Sequence, residues 1–91
     1  MGKSEKRMAL YQQLKRSRHN VSFGDLCTLA EMVGFTFDRQ NGTSHKIYRH
    51  SKHPGIMNFQ DVKGQAKPKQ IGQLIDFIDE HGLLEKEVQN V

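Results

Sequence analysis

Apolar residues recur at helical spacing in three segments of this chain, and they alternate with polar residues between the second segment and the third. Residues 5–16 are rich in good helix formers and predict a short N-terminal helix. Ser22 is a candidate N-cap for a second helix, whose apolar residues recur every three or four positions until Gly34 ends it. Pro68, which suits a first helical turn, and Gly82 bound a third amphipathic helix.

The alternating region predicts three strands joined by short turns. Residues 35–40 alternate phenylalanine with polar residues, and the turn signal "NGTS" leads into a second strand over 45–50. A proline and a glycine then mark another turn, and a third strand follows over 56–62. Residues 63–70 are polar and predict a loop. Short turns between consecutive strands favour an antiparallel sheet.

The order of elements predicts the fold class. The second and third helices need an apolar surface to pack on, and one face of the sheet supplies it while the other face stays open. We therefore expect an α+β fold of the double-stranded-RNA-binding-domain type. It has a three-stranded antiparallel sheet with two helices packed on one face, in the order α-β-β-β-α, and an extra N-terminal helix. A chain of 91 residues is long enough for one such domain.

The composition indicates the cellular compartment of the protein and the role of its cysteine. The chain is 35% hydrophobic, which is enough for a thin core, and it contains no apolar run of membrane-spanning length. Its N-terminus lacks the apolar stretch of a signal peptide, so we expect a cytoplasmic protein with no membrane partner. The single cysteine, Cys27, lies on the apolar stripe of the second helix and is expected to be a reduced core residue.

The positive charge is unevenly distributed. The net charge is +4, but residues 1–19 carry six Lys or Arg against one acid, and residues 39–69 carry seven against one acid. Residues 20–38 and 70–91 are acidic by contrast. A polyanion is the natural partner of such basic segments, because neutralising phosphates releases counterions. A solvated basic surface without a ligand would have the same composition.

Three histidines, His45, His50 and His53, lie close together in the central basic segment. Strand alternation places His45 and His50 on opposite faces of the sheet, so the three histidines are not expected to share a metal ion. If two of them did bind one, His50 and His53 would be the more plausible pair. No serine–histidine couple with an orienting acid is apparent. A single imidazole among cations suits phosphodiester cleavage in RNA, where the 2′-hydroxyl is the nucleophile and only a general acid or base is needed.

Residues 22–84 resemble the HicA toxin family of bacterial type II toxin–antitoxin modules. The family pattern is a helix ending in Leu-Gly-Phe, a strand with Arg, a Gly-Ser-His turn, a strand of the aliphatic-aromatic-Arg-His-Pro type and a late helix after a lysine-containing loop. The matching positions are Gly34, Phe35, Arg39, Gln40, Gly42, Ser44, His45, residues 47–50, Pro54, Lys67 and Pro68. Thr43 lengthens or replaces part of the Gly-Ser-His turn, and its Cβ resists positive φ.

The resemblance implies a small endoribonuclease that cleaves mRNA and is held inactive by a HicB-type antitoxin. It implies His45 as the catalytic residue, with Gly42, Thr43 and Ser44 forming the supporting turn, and it implies no cofactor and no binding of DNA by the chain alone. The charge excess nominates RNA-binding cations, of which alternation places only Arg49 and not Lys46 on the face of His45. These cations are Arg39, Lys46, Arg49, Lys63, Lys67 and Lys69.

These expectations divide the chain into three parts. Residues 1–20 form a basic N-terminal arm with a short helix, residues 21–84 form the HicA-like ribonuclease domain, and residues 85–91 form a frayed tail. Metal-independent cleavage by general acid/base catalysis with a single histidine is the preferred function. The alternative is a non-catalytic RNA-binding module, or a degenerate relative of the toxin, that uses the same basic surface.

Overall fold

The computed structural model describes residues 3–84, so the tail predicted for residues 85–91 lies outside the described residues. The fold is α+β, with three helices and one four-stranded antiparallel sheet. None of the helices in the described range is both long and apolar enough to cross a membrane. In chain order the elements are α1 Lys3–Arg16, α2 Phe23–Met32, β1 Phe35–Asn41, β2 His45–His50, β3 Ile56–Val62, β4 Gln65–Ala66 and α3 Pro68–His81.

Local sequence explains where α2 and α3 begin and end. The Ser22 hydroxyl accepts a hydrogen bond from the backbone N–H of Asp25 at 3.0 Å, which is the predicted N-cap of α2. Pro68 occupies the first turn of α3, where its missing N–H costs no hydrogen bond. Gly82 ends α3 in the left-handed conformation at φ +58°, because a residue without a Cβ adopts that conformation without strain. The predicted bounds of α2 and α3 are thus confirmed.

The four strands lie in the order β1-β2-β3-β4, and each pairs with the next in the chain. The register of β1 against β2 shifts between Phe37 and Arg39, where the extra residue Asp38 forms a β-bulge. Phe37 pairs with Tyr48 on one face of the sheet, whereas Arg39 pairs with Ile47 on the other. Beyond the bulge, the side chains of β1 therefore lie on the face of the sheet opposite to the one that regular alternation would give them.

The fourth strand was not predicted, because residues 63–70 were expected to form a loop. Instead, Lys63 and Gly64 adopt positive φ values of +53° and +86° and turn the chain back, so that β4 pairs with Asp61 and Val62. Two consecutive positive φ values suit the twist of a tight antiparallel hairpin. The expectation of a three-stranded sheet was wrong by this short strand. Ala66 on β4 also joins the core.

The core lies between the three helices and one face of the sheet. Phe35, Tyr48 and Phe59 supply the sheet side and are almost completely buried. The helices supply an aliphatic layer, and α1 belongs to it because Leu14 is fully buried and Leu10 nearly so. Burying large side chains of this kind contributes about 1.5–3 kcal/mol each. The residues of the helix side are Leu10, Leu14, Phe23, Leu26, Cys27, Leu29, Ala30, Ile71, Leu74, Ile75 and Ile78.

Candidate functional site

The face of the sheet opposite the helices, called the open face below, carries a mostly polar surface around His45. Strand register arranges its residues in three rows that cross β1, β2 and β3. Side chains in such a row, and in neighbouring rows, lie close enough to interact. The rows are Asn41, His45 and Gln60; Arg39, Ile47 and Asn58; and Thr36, Arg49 and Ile56.

The turn before His45 is held by several hydrogen bonds. The side-chain amide of Gln40 donates to the carbonyl oxygens of Gly42 and Thr43, each at 3.3 Å. The backbone N–H of Asp61 donates to the carbonyl of Ser44 at 2.8 Å. The left-handed φ of the turn, +74°, falls on Gly42 and not on Thr43. The Cβ of Thr43 therefore introduces no backbone strain into the turn.

His45 is the first residue of β2, and it is half-buried. Its Nδ1 atom lies 3.2 Å from the Oδ1 atom of Asn58, which is on the neighbouring strand β3. Asn58 pairs with Ile47, so the contact is a diagonal one between adjacent rows of the open face. One nitrogen of the ring is thus engaged by the sheet, while the ring remains accessible to solvent.

Two arginines on the open face share one acidic partner. Asp38, the residue in the bulge, accepts a hydrogen bond from the Nη1 of Arg39, and its Oδ2 also lies 3.2 Å from the Nε of Arg49. Both guanidinium groups are largely exposed, so the ion pairs are screened by water. The carboxylate of Asp38 therefore holds two cations together on the face of the sheet that also carries His45.

The remaining predicted cations lie elsewhere. Lys46 faces the helix side, where its ammonium lies 5.7 Å from the ring centroid of Phe23 and 5.9 Å from that of Phe37, so it does not join His45. Lys63 occupies the turn between β3 and β4. Lys67 and Lys69 stand at the beginning of α3.

The beginning of α3 is anchored at the end of the sheet that holds His45. The side-chain oxygen of Gln70 accepts a hydrogen bond from the backbone N–H of Gln60 at 2.7 Å, and Gln60 is the register partner of His45. Lys67 and Lys69 precede Gln70 by three residues and one residue. Their positive charges lie at the beginning of α3, whereas Arg39 and Arg49 stand on the open face itself.

The other histidines of the central segment form a separate cluster. The Nε2–H of His50 donates to the carbonyl of Val33 at 2.8 Å, and its Nδ1 accepts from the backbone N–H of Lys52 at 3.0 Å. His53 stacks on His81 with ring centroids 4.1 Å apart. Both nitrogens of His50 are used, so it has no lone pair left for a metal ion.

The described residues contain no group of three or more His, Cys, Asp or Glu side chains placed to hold a metal ion. His45 also stands apart from the second cluster, because it lies on the open face while His50 lies on the helix side. The three central histidines thus lie in two separate places, His45 on the open face and His50 with His53 on the helix side, and they have different partners.

Cys27 is buried against the sheet and does not belong to the open face. Burial raises the pKa of its thiol, which keeps the sulfur in the protonated, weakly nucleophilic form. Burial also raises the pKa of the neighbouring Tyr48, whose hydroxyl donates to Glu31 at 3.3 Å. Neither residue offers a nucleophile, and Tyr48 is a core residue and not a stacking platform for bases.

A groove of about 370 Å³ lies between α1 and α3, on the helix layer of the fold. Its polar groups are engaged with one another: the Tyr11 hydroxyl donates to the carboxylate of Asp79, and the ammonium of Lys15 donates to the Tyr11 hydroxyl at 2.9 Å. These contacts fasten α1 to α3. Among the lining residues that the structure describes, the groove therefore offers no free acid, base or nucleophile comparable with His45.

Two residues of the site were not anticipated from the sequence. Asn58 was assigned only to a strand, and Asp38 only to the polar positions of β1. Asn58 becomes visible as a partner of His45 once the register of β2 against β3 is known, and Asp38 once the bulge is known. Neither the register nor the bulge is marked by a residue pattern.

Comparisons with protein-family models, with curated proteins and with solved structures find no match to this chain. Function is therefore inferred from the residues of the open face. That face combines one imidazole, held by an amide, with two guanidinium groups. Such a set is able to transfer a proton and to bind a phosphate.

Proposed function

We propose that this chain is a metal-independent endoribonuclease of the HicA toxin type, which cleaves mRNA with His45 as its general acid/base. The observation that carries the proposal is the position of His45 on the open face, with Nδ1 against Asn58 and two arginines on the same face. An imidazole is suited to proton transfer near neutral pH. The bulge-linked arginines supply charge at the place where a phosphodiester would lie.

In the proposed reaction, the nucleophile is the 2′-hydroxyl of the RNA. The Nε2 atom of His45 removes its proton while the 2′-oxygen bonds to phosphorus, and the bond from phosphorus to the 5′-oxygen breaks. The leaving oxygen takes a proton from the imidazolium or from water. The products are a 2′,3′-cyclic phosphate and a 5′-hydroxyl end, and no metal or enzyme nucleophile enters the balance.

The arginines act on charge in this scheme. Negative charge builds on the non-bridging oxygens in the transition state, and fixed cations stabilise it. Arg39 and Arg49 reach the substrate by exchanging Asp38 for a phosphate, an exchange between exposed groups that costs little. Lys63, Lys67 and Lys69 contribute sequence-independent attraction for the RNA backbone.

The fold supports the same assignment at a coarser level. Helices on one face of an antiparallel sheet are the arrangement expected for a double-stranded-RNA-binding-domain-like fold, which the HicA resemblance also implies. Fold alone does not specify function, so the proposal rests on the site. The resemblance further implies a HicB-type antitoxin as the protein partner, in the cytoplasm. Co-expression with the product of the adjacent reading frame, followed by purification of the tagged chain, tests that partner.

Cleavage is tested with purified protein and an unstructured mRNA in the presence of EDTA. We expect the wild type to cut the RNA and His45→Ala to leave it intact, with a loss of at least 100-fold or so for removing a general acid/base group. His19→Ala is the matched control, because His19 is an exposed histidine outside the open face. It should cut like the wild type.

Two results would count against this function. One is equal cleavage by His45→Ala and the wild type at equal purity, which would show that the imidazole is not the catalyst. The other is growth arrest on induction that persists with His45→Ala. Mapping the 5′ and 3′ ends of the fragments also tests the proposed chemistry, since a 3′-hydroxyl product would require a different nucleophile.

A second candidate is a module that binds RNA without cleaving it. The observation that favours it is that His45 is the single histidine on the open face within the described residues. A second imidazole to protonate the leaving oxygen is thus missing from this face in the described part of the chain. Salt-dependent RNA binding with no cleavage and no growth arrest would select this candidate.

A further inference from the structure

The contact between Asn58 and His45 selects one form of the imidazole ring. A neutral imidazole has one N–H donor and one bare nitrogen, and its two tautomers differ in which is which. The Oδ1 of Asn58 is an acceptor that lies 3.2 Å from Nδ1. A hydrogen bond between them requires the proton to be on Nδ1, and this leaves Nε2 as the bare, basic nitrogen.

We propose that Asn58 is the positioning residue of the site, which holds His45 as the Nδ1–H tautomer so that Nε2 faces the substrate as the base. This inference rests on the proposed ribonuclease function for its catalytic meaning, whereas the tautomer is a property of the free protein. Asn58 touches His45 and not the reacting atoms. Its role is therefore to orient the catalytic residue.

An amide is well suited to this position because its oxygen accepts from Nδ1–H in both protonation states of the ring. When Nε2 takes the proton of the 2′-hydroxyl, the imidazolium still donates from Nδ1 to the same oxygen. The ring therefore gains and loses its proton without turning. A carboxylate in the same place would add a charge that favours the protonated ring.

The backbone around Asn58 supports this role. Asn58 is the third residue of β3, between Met57 and the fully buried Phe59, so its Cα is fixed by pairing with β2 and by the core. Its side chain is exposed on the open face, where alternation directs it away from the helices. Replacing the side chain should leave the core intact, which makes Asn58 accessible to testing by substitution.

The test measures the tautomer directly. Nitrogen-15 correlation spectra of the imidazole ring, recorded at a pH where the ring is neutral, separate Nδ1–H from Nε2–H. We expect the wild type to show His45 predominantly as the Nδ1–H form and Asn58→Ala to show a mixture. Asn41→Ala is the matched control, because Asn41 is the register neighbour of His45 on β1 and forms no hydrogen bond with its ring within the described residues. It should retain the wild-type spectrum.

Kinetics supply a second readout. We expect Asn58→Ala to lower kcat by roughly 10- to 100-fold, the order of loss that follows when a reacting group is misplaced, with KM for RNA nearly unchanged. Asn58→Asp should restore orientation, and it should move the rise of the pH–rate profile to higher pH because the carboxylate favours the protonated ring. A purely structural asparagine would not produce the split between kcat and KM in Asn58→Ala, and the displaced profile of Asn58→Asp tests only that the two side chains are adjacent.

The outcomes separate this inference from the proposed function. If Asn58→Ala and the wild type show the same tautomer population, the inference is overturned whether or not the protein cleaves RNA. If the wild type holds the Nδ1–H form and loses it in Asn58→Ala, the positioning role is supported. A wild type that shows this selection but cuts no RNA would contradict the ribonuclease function and not the orientation of His45 by Asn58.

Discussion

Gly34 lies at a close approach between the end of α2 and the ring of His50, and its replacement by alanine would be costly for two separate reasons. Its φ of +109° is a conformation that residues with a Cβ rarely adopt. A Cβ at this position would also lie 2.6 Å from the Nε2 of His50, closer than real Cβ contacts, and 3.0 Å from its Cε1, tighter than most of them. Backbone strain and steric overlap therefore act together.

The ring of His50 has little freedom to move away. Its Nε2 donates to the carbonyl of Val33 at 2.8 Å, and the edge of the ring packs on Phe35 with centroids 4.9 Å apart. Strain at an unfavourable φ costs about 1–3 kcal/mol, overpacking about 1–3 kcal/mol and a lost hydrogen bond about 1 kcal/mol. Gly34→Ala should thus reduce the free energy of unfolding by about 3–7 kcal/mol.

Gly55 provides a matched control for the strain alone. Its φ of +114° is almost the same as that of Gly34, but no atom lies within 4 Å of a Cβ built on it. Gly55→Ala should therefore cost only the backbone part, about 1–3 kcal/mol. The difference between the two variants, about 2–4 kcal/mol from overlap and the lost hydrogen bond, corresponds to roughly 8–30 °C in Tm for a domain of this size.

The assay is urea denaturation followed by circular dichroism, with the slope m checked for constancy between variants. The double variant Gly34→Ala/His50→Ala removes the ring that the new Cβ would meet, so the two substitutions should be less costly together than the sum of their separate costs. If Gly34→Ala proved no more destabilising than Gly55→Ala, or if the two costs simply added, the close approach to His50 would have no energetic consequence and the reasoning would fail.

Three further predictions concern single side chains. Burial raises the pKa of Tyr48 above its value in the unfolded chain, so above pH 10 the free energy of unfolding of the wild type should fall by up to about 1.4 kcal/mol per pH unit through this group. In urea titrations at different pH values, Tyr48→Phe should show a smaller fall, and at neutral pH it should reduce the free energy of unfolding by about 1 kcal/mol. Asp38→Asn should release Arg39 and Arg49 from their ion pairs. In anisotropy titrations, the affinity for single-stranded RNA should then rise a fewfold at low salt, and its dependence on salt should become steeper. Unchanged binding would show that these arginines do not contact phosphate. Cys27 should react with a thiol reagent only as fast as the protein unfolds, and rapid labelling of the native protein in mass spectra would contradict its burial.

Elements that are specified by local chemistry were predictable from the sequence. The cap at Ser22, the proline at the beginning of α3 and the glycine at its end each act through atoms a few residues away, and the structure places all three where they were expected. The strand β4 was not predicted, because two residues are too few to show the alternation of apolar and polar residues that marks a strand. Its turn also places Lys63 at a positive φ, which a lysine gives no reason to expect.

The candidate site was only partly predictable, because it depends on contacts between strands. His45 was identified from its turn and its basic surroundings, both of which are local. Its partner Asn58 is 13 residues away, and the register that brings the two together is set by core residues such as Phe59 on the opposite face. Alternation shows which residues of one strand share a face, as it did for His45 and Arg49, but which residues of two strands lie side by side depends on the register, and no residue pattern in this chain marks it.

The bulge at Asp38 shows how far one residue can alter such a prediction. In a regular strand, Phe37 and Arg39 would lie on the same face, and that face packs against the helices. The extra residue turns Arg39 to the open face, beside Arg49, and places the carboxylate of Asp38 where it contacts both guanidinium groups. Strict alternation would therefore have assigned Arg39 to the wrong side of the sheet. Because β1 is an edge strand, it accommodates the bulge without breaking a second ladder, and the position of Arg39 beside Arg49 depends on that irregularity.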